Sequence, residues 1–229
     1  MKKITNITSG ALFLLFVASF AAYAQDIQTS ENYFDRISEQ YGKITDYEAK
    51  FTIIMDKDTM KGTMYYKTPN LLRLNFSDPA EQVIAINGES LIIYIPKYSV
   101  VMRQKMKRHS SATLATMASR QGLLLLKRNY SVAFLTGPDP VPLEEGSKEK
   151  VVKLKLKSRS IDEGFRELEI SIGENGLIRR IIGITVEYTE IQFDFKGILI
   201  NQNIPDVRFV YDPPASANVY DNFLFEPEN

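Results

Sequence analysis

The stretch that decides the fold is residues 62–98, GTMYYKTPNLLRLNFSDPAEQVIAINGESLIIYIPKY. It contains four apolar runs, and each run ends at a turn signal that contains Pro or Asn-Gly. Proline removes a donor from a strand ladder, and Asn-Gly favours a tight hairpin turn with positive φ. Short apolar runs separated in this way predict an antiparallel meander, which the rest of the chain extends or covers.

One side of this meander is apolar. Leu72, Leu74 and Phe76 alternate with Arg73 and Asn75, so the two sets of side chains point to opposite faces of a strand. Similar alternation along the chain predicts a curved antiparallel sheet of about ten strands, an unclosed half-barrel that ends with a short strand at residues 207–211. On its polar side, rows of Lys near 151–157 and Glu near 165–172 are expected to pair across strands.

Two short helices are predicted to cover the apolar side of the sheet. The first follows Thr29 and Ser30 and runs to about residue 43, with aromatic and aliphatic residues at helical spacing. The second begins after Ser110 or Ser111 and ends near residue 126. One of its faces carries Leu114, Met117, Ala118, Gln121, Leu124 and Leu125. Because two short helices are a small cover for such a sheet, we expect part of the hollow to remain unfilled as an apolar cleft.

Residues 1–24 have the pattern of a cleaved signal peptide. Lys2 and Lys3 precede an apolar stretch at 11–22, and Ala22-Tyr23-Ala24 fits the small-x-small cleavage pattern. We expect cleavage before Gln25, which leaves residues 25–229 as a single domain beyond the inner membrane. The chain contains no Cys, so neither a disulfide nor a lipid anchor on Cys is expected.

The composition argues against several classes of function. The chain has 28 basic and 28 acidic residues, and removal of Lys2 and Lys3 makes it slightly acidic, which does not favour nucleic-acid binding. His109 is the only histidine, so catalytic arrangements and zinc sites that need several His or Cys residues are not expected. A pair of carboxylates remains open as a catalytic device, but the sequence singles out no pair. We therefore expect no enzyme, no cofactor and no metal.

Residues 62–98 resemble the signature region of the LolA family, the periplasmic carriers of outer-membrane lipoproteins. The similar positions are Gly62, Tyr65, Lys67, Pro69-Asn70, 71–74, Pro79, Glu81-Gln82, Asn87-Gly88, Tyr94 and Pro96. Residues 203–206, Phe209 and Pro213-Pro214 resemble the end of the family pattern. The resemblance implies a half-barrel of the LolA and LolB kind, covered by short helices, that binds the acyl chains of lipoproteins in a hydrophobic cleft.

The resemblance also implies partners. These are acylated lipoproteins, an inner-membrane transporter that releases them and an outer-membrane acceptor, with the carrier acting as a periplasmic monomer. An alternative is a periplasmic sensor or regulatory module of the same fold that binds a lipid or a protein partner.

The predicted acyl-binding residues follow from the alternation of the strands and the spacing of the second helix. Those of the sheet are Phe51, Ile53, Met64, Tyr66, Leu72, Leu74, Phe76 and Ile84; those of the helix are Leu114, Met117 and Leu125. An error of one residue in the phase of a strand would move its whole set to the opposite face.

One position departs from the family pattern. In the family, an Arg before the signature Pro hydrogen-bonds the covering helices and favours the closed, unloaded form. Thr68 stands at this place here, and its short hydroxyl side chain carries no charge. Two alternatives follow: the cover is held more weakly than in the family, or Lys67 or Arg73 takes the place of the Arg.

Overall fold

A computed structural model of the chain describes residues 28–105, 118–161 and 163–223. The predicted signal peptide, His109 and the first part of the predicted second helix, including Leu114 and Met117, lie outside these residues.

The described residues form an unclosed sheet of 13 strands. The strands are β1 (Asp46–Met55), β2 (Asp58–Lys67), β3 (Leu71–Asp78), β4 (Ala80–Asn87), β5 (Ser90–Ile95), β6 (Val100–Lys105), β7 (Tyr130–Phe134), β8 (Val141–Pro142), β9 (Lys150–Ser158), β10 (Phe165–Gly173), β11 (Ile178–Thr185), β12 (Glu190–Ile200) and β13 (Asn218–Asp221). Their order is β13-β6-β5-β4-β3-β2-β1-β12-β11-β10-β9-β7, and β8 pairs with β9. The predicted fold class, a mainly antiparallel curved sheet with a helical cover, is confirmed.

The turn at Asn87-Gly88 shows how the sequence of residues 62–98 forms a meander. Gly88 has φ of +93°, as the Asn-Gly signal predicts. The Asn87 side-chain oxygen accepts hydrogen bonds from the backbone N–H groups of Glu89 and Ser90 at 3.1 and 2.9 Å. The turn therefore fixes the register in which β4 meets β5, with Ile86 opposite Leu91.

The register places the apolar residues of neighbouring strands on one face, which we call the inner face. Leu74 lies between Met64 on β2 and Ile84 on β4, and Met64 in turn lies opposite Ala49 on β1. Residues directly opposite each other in an antiparallel pair point to the same side. The apolar row therefore continues from strand to strand and forms the core of the protein together with the helices.

Among the described residues, two helices cover the inner face: α1 (Ser30–Tyr41) and α2 (Arg120–Asn129). The Thr29 side chain caps α1 by accepting from the Asn32 N–H, and the Ser119 hydroxyl caps α2 by accepting from the Gly122 N–H. Lys127 of α2 forms an ion pair with Asp35 of α1. The two helices run antiparallel, since the end of α1 at Gly42 faces Arg120 at the start of α2.

The apolar side of α2 differs from the predicted one by a small rotation. Leu123 and Leu126 are buried, whereas Leu124 is 51% exposed and Leu125 is half-buried. α2 begins at Arg120 after the Ser119 cap, and Leu123 and Leu126, three positions apart, share its buried side.

The outer face of the sheet carries charges on one half. Lys153 pairs with Glu169 at 3.5 Å, and Lys155 pairs with Glu167 at 2.5 Å, which confirms the predicted pairing of the Lys and Glu rows on β9 and β10.

A C-terminal segment covers the outer face on the other half, and here the predicted strand at 207–211 is wrong. Residues Asp206–Phe209 form a 3₁₀ turn that packs against β3 and β4. Phe209 is 1% exposed, because it lies against the half of the outer face where β4 contributes the buried Val83 and Ala85. The last described strand is instead β13, which pairs parallel to β6.

Gly62 marks a close approach between β2 and its neighbours. A Cβ atom at this position would lie 2.2 Å from the backbone oxygen of Asn75 and 2.7 Å from the Phe51 ring. We expect Gly62→Ala to lower the free energy of unfolding by about 1–3 kcal/mol, because β3 or the Phe51 ring must shift to make room. Urea denaturation monitored by circular dichroism measures this change.

Gly164→Ala is the matched control, since an added Cβ there meets no atom within 4 Å. Its effect is expected to stay within about 0.5 kcal/mol. Equal destabilisation by the two substitutions would contradict the close approach at Gly62.

Candidate functional site

The predicted sheet residues of the acyl site all lie on the inner face. Phe51, Met64, Tyr66, Leu72, Leu74 and Phe76 are 6% exposed or less, and Ile53 and Ile84 are half-buried. Their phase along the strands is therefore as the alternation predicts. That they bind acyl chains stays a prediction.

The expected hollow is closed near the end of α1, where that helix lies over β1, β11 and β12. The gap lined by Tyr41, Tyr47, Ala118 and Phe195 has a volume of only about 10 Å³. That is about the space of one water molecule. Tyr41 of α1, together with Ile44 and Ala118 beside it, fills this part of the inner face, contrary to the expected open cleft.

Aromatic side chains fill the middle of the site. The Phe51 ring lies 5.0 Å from Phe76 in an edge-on arrangement and 5.6 Å from Phe193, and Phe193 lies 4.7 Å from Phe195. The predicted site does not include Phe193 and Phe195, although they alternate along β12. In the structure they lie opposite Ile53 and Phe51 on β1. The inner face is thus continuous across β12, β1, β2 and β3.

A margin of the inner face remains partly accessible. We call it the half-buried margin, and it consists of Ile53, Met60, Ile84, Ile93 and Ile191. These side chains pack against the core on one side and meet solvent on the other. Apolar side chains that remain half-exposed beside a closed core are positions at which an apolar ligand can first make contact.

Two tyrosines of the sheet hold the start of α2. Tyr47 and Tyr66 lie opposite each other on β1 and β2, with ring centroids 5.2 Å apart. The buried Tyr47 hydroxyl donates a hydrogen bond of 2.9 Å to the backbone oxygen of Ala118. The side chain of Tyr66 hydrogen-bonds the side chain of Ser119. Burial raises the pKa of both phenols above the usual value, well above it for Tyr47.

Two further tyrosine hydroxyls bond backbone groups of the sheet. The Tyr41 hydroxyl accepts a hydrogen bond of 2.9 Å from the Ile178 N–H, which fixes the end of α1 to β11. Tyr130, directly after α2, donates to the backbone oxygen of Phe165 at 2.8 Å. Burial raises the pKa of Tyr41, and burial together with the charge of Glu163 raises the pKa of Tyr130 to about 12.

Neither of the candidates for the missing family Arg is directed to the helices. The Lys67 ammonium donates to the backbone oxygen of Ile204 at 2.8 Å and pairs with Asp206 at 2.5 Å. Arg73 donates to the backbone oxygens of Arg208 and Val210 at 3.1 and 2.9 Å. Both side chains project from the outer face of the sheet, because Lys67 and Arg73 alternate along their strands with Tyr66 and Leu72, which face inward. They fix the C-terminal segment, so the alternative in which one of them replaces the family Arg at the cover is wrong.

Two features do not occur among the described residues. No helix among residues 28–105, 118–161 and 163–223 is long and apolar enough to cross a membrane. Within the same ranges, no three His, Cys, Asp or Glu side chains come together in a group suited to a metal ion. The arrangement that these residues do form is an apolar surface under a hydrogen-bonded cover.

The described residues define a class of protein in which an open, curved sheet holds an apolar inner face beneath helices. Comparison with known proteins identifies the family. The family model described as "Outer membrane lipoprotein carrier protein LolA" matches residues 43–212. The chain belongs to the LolA family.

One relative and two solved structures resemble the chain over most of its length. The outer-membrane lipoprotein carrier protein of Pseudomonas putida strain GB-1 is 26% identical over 227 residues, which cover 96% of this chain and 99% of the relative. A crystal structure of an uncharacterized conserved protein from Thermus thermophilus shares the fold, with a TM-score of 0.54, 14% identity and coverage of 85% of this chain and 99% of the other. The LolA superfamily protein NE2245 from Nitrosomonas europaea matches with a TM-score of 0.42 and 10% identity over 80% of this chain and 98% of the other.

Removal of the Tyr47 hydroxyl tests the attachment of α2. Tyr47→Phe leaves the buried oxygen of Ala118 without its donor, and we expect the free energy of unfolding to fall by about 1–3 kcal/mol. Amide hydrogen exchange is expected to accelerate at residues 119–126. The matched control is Tyr98→Phe, because the side chain of Tyr98 is 64% exposed. If Tyr98→Phe lowers stability and protection as much as Tyr47→Phe, the attachment has no special role.

Alkaline pH is expected to destabilise the fold through the same tyrosines. The pKa values of Tyr41, Tyr47, Tyr66 and Tyr130 are raised in the folded state, so the folded chain binds these protons more tightly than the unfolded chain. Their contribution is complete below about pH 10, the pKa of a tyrosine in an unfolded chain, and is lost as the pH rises through the folded values. Urea denaturation at pH values between about 9 and 12 measures the decline. A slope that Tyr47→Phe leaves unchanged would rule out Tyr47 as one of its sources.

Proposed function

We propose that this protein is a periplasmic carrier that binds the acyl chains of lipoproteins between the inner face of the sheet and the helical cover. The observation that carries the proposal is the continuous apolar inner face beneath helices that are fixed by a small set of tyrosine hydrogen bonds. Membership of the LolA family, and the name of the Pseudomonas putida relative, support the lipoprotein as cargo. The role is binding rather than catalysis.

The energetics of acyl chains explain why such a carrier is needed. Each buried methylene group contributes ~0.8 kcal/mol, so one long acyl chain in water costs on the order of 10 kcal/mol. A lipoprotein with two or three chains therefore does not leave a membrane on its own at a useful rate. A carrier removes this cost by offering the chains an apolar surface in exchange for the bilayer.

Binding in the proposed site requires the cover to move. In the closed arrangement Leu123 and Leu126 of α2 occupy the inner face, and Tyr47 holds the start of the helix through Ala118. An acyl chain that enters at the half-buried margin replaces the leucine contacts with equivalent apolar contacts. The hydrogen bond of Tyr47 is then the part of the closed state that the ligand does not replace.

The finer steps are also proposals. Residues 1–24 direct the chain across the inner membrane and are removed, and residues 25–229 act as one monomeric domain. An inner-membrane transporter loads this domain with lipoproteins, and an outer-membrane acceptor unloads it.

Purification of the protein from its native envelope, followed by mass spectrometry of bound lipoproteins, tests the cargo. Repeated recovery without any acylated protein would count against the proposal.

Substitution at the half-buried margin tests the site itself. Ile84→Gln puts a polar amide on the inner face at a position that is only half-buried, so the fold is expected to tolerate it. Loss of apolar contact with the chain is expected to weaken binding of a fluorescent diacylated lipopeptide about tenfold, which corresponds to about 1.4 kcal/mol.

Val210→Gln is the control, because Val210 is 59% exposed on the C-terminal segment of the outer face. Fluorescence titration of both variants at matched folded fraction measures the difference. Unchanged affinity of Ile84→Gln would remove the half-buried margin from the site.

A further inference from the structure

A second space lies at the side of α1 that faces away from α2. It is a cavity of about 470 Å³, between α1, the turn that joins β10 to β11, and the loop before β8. This volume lies within the range of small-molecule sites. No residue of this cavity was predicted as part of the acyl site, and Ile37 and Val152 connect its floor to the core.

The floor of the cavity is apolar and continues into the inner face. Ile37 of α1, Val152 of β9 and Ile172 of β10 line it, and all three belong to the core. Val152 and Ile172 lie opposite each other, next to the pair formed by Leu154 and Ile170. An apolar chain on this floor would therefore meet the covered part of the inner face without crossing a polar barrier.

The rim of the cavity offers hydrogen-bond donors. The side-chain nitrogen Nε2 of Gln28 is buried and has no hydrogen-bond partner among the described residues. The Arg36 guanidinium lies 5.0 Å from the centre of the Tyr33 ring, at the same rim. Gln40 Nε2 already donates to the backbone oxygen of Asn175 at 2.8 Å. Since a buried donor without an acceptor is costly, Gln28 is suited to a ligand that brings an acceptor oxygen.

The charges at the rim favour an uncharged acceptor. Arg36 and Glu174 both line the cavity, so the rim has one positive and one negative side chain. A phosphate would be attracted by the first and repelled by the second. Ester and amide carbonyl oxygens are strong acceptors without charge, and the glyceryl esters of a lipoprotein carry them directly beside the acyl chains.

We propose that this cavity binds the diacylglyceryl junction of a lipoprotein, where the acyl chains join the polypeptide. An ester carbonyl accepts a hydrogen bond from Gln28 Nε2, and the first part of one acyl chain lies on Ile37, Val152 and Ile172. The proposal rests on the proposed carrier function and adds the position and the orientation of the cargo. The polypeptide leaves the carrier past Pro138 and Pro140, and the chains run inward beneath α1.

Obstruction of the mouth of the cavity tests the position. The natural chain has no Cys, so Pro138→Cys provides a single exposed site for a bulky maleimide at the rim. Lys196→Cys, an exposed position on the outer face, is the matched control. The ligand is a fluorescent dipalmitoylglyceryl-cysteinyl lipopeptide, titrated against each variant before and after labelling.

We expect labelling of Pro138→Cys to weaken binding at least tenfold and labelling of Lys196→Cys to change it less than twofold. Full affinity of labelled Pro138→Cys would overturn the cavity as the junction site, while the carrier function would stand. Absence of lipopeptide binding by the unlabelled natural chain would instead overturn the carrier function itself.

The ester contacts have a test of their own. The natural chain is expected to bind the ester lipopeptide about fivefold more tightly than its ether analogue, which lacks the carbonyl oxygens, as one net hydrogen bond predicts. Gln28→Leu is expected to abolish this preference without changing the affinity for the ether analogue. A preference that survives in Gln28→Leu would remove Gln28 from the site.

Diacyl phospholipids carry the same esters, so the source of the ligand is tested separately. Dipalmitoyl phosphatidylglycerol is expected to bind at least tenfold more weakly than the lipopeptide, because it lacks the polypeptide that passes Pro138 and Pro140 and because attraction of its phosphate by Arg36 is offset by repulsion from Glu174. Equal affinity would overturn the assignment of the site to lipoproteins.

Discussion

The structure depends on the need to keep one large apolar face of a curved sheet away from water without another sheet to cover it. Alternation along each strand gathers leucine, isoleucine and aromatic side chains on the inner face, and the pairing of strands makes that face continuous. Burial of apolar area is the main source of stability, at about 25 cal/mol per Å². Only α1 and α2 are described above this face. The stability of the fold and the availability of a ligand site are thus properties of the same surface.

The two faces of the sheet are held in different ways. On the outer face, Lys67 and Arg73 bind backbone oxygens of the C-terminal segment through charged donors, and Phe209 is buried beside them. Hydrogen bonds from charged donors are stronger than neutral ones. On the inner face the cover is joined to the sheet by neutral tyrosine hydroxyls. The individual hydrogen bonds that fix the C-terminal segment are therefore stronger than those that join the helices to the sheet.

The phase of the strands could be predicted from the sequence, because it follows from local alternation. Leu72, Leu74 and Phe76 are on the expected face for that reason. The phase of α2 could not, since Ser119 caps the helix, and an apolar run such as 123–126 fits several helical phases. The segment 207–211 was mistaken for a strand because a strand and a packed 3₁₀ turn both need apolar residues. What separates them is the capture of its carbonyl groups by Arg73, more than 130 residues away.

The hydrogen bond from Tyr47 that attaches α2 could not be predicted from the sequence either, because Tyr47 and Ala118 are 71 positions apart and the acceptor is a backbone oxygen. A buried guanidinium must lose its hydration, and it needs several acceptors to offset that cost. A phenol needs only one acceptor and keeps an apolar ring, so Tyr47 and Tyr66 belong both to the apolar surface and to the hydrogen bonds that attach α2. Because both phenols stay neutral at pH values well above 7, salt and moderate changes of pH have little effect on this attachment. In the proposed carrier function, the closed state is weakened chiefly by an apolar ligand, which replaces its leucine contacts.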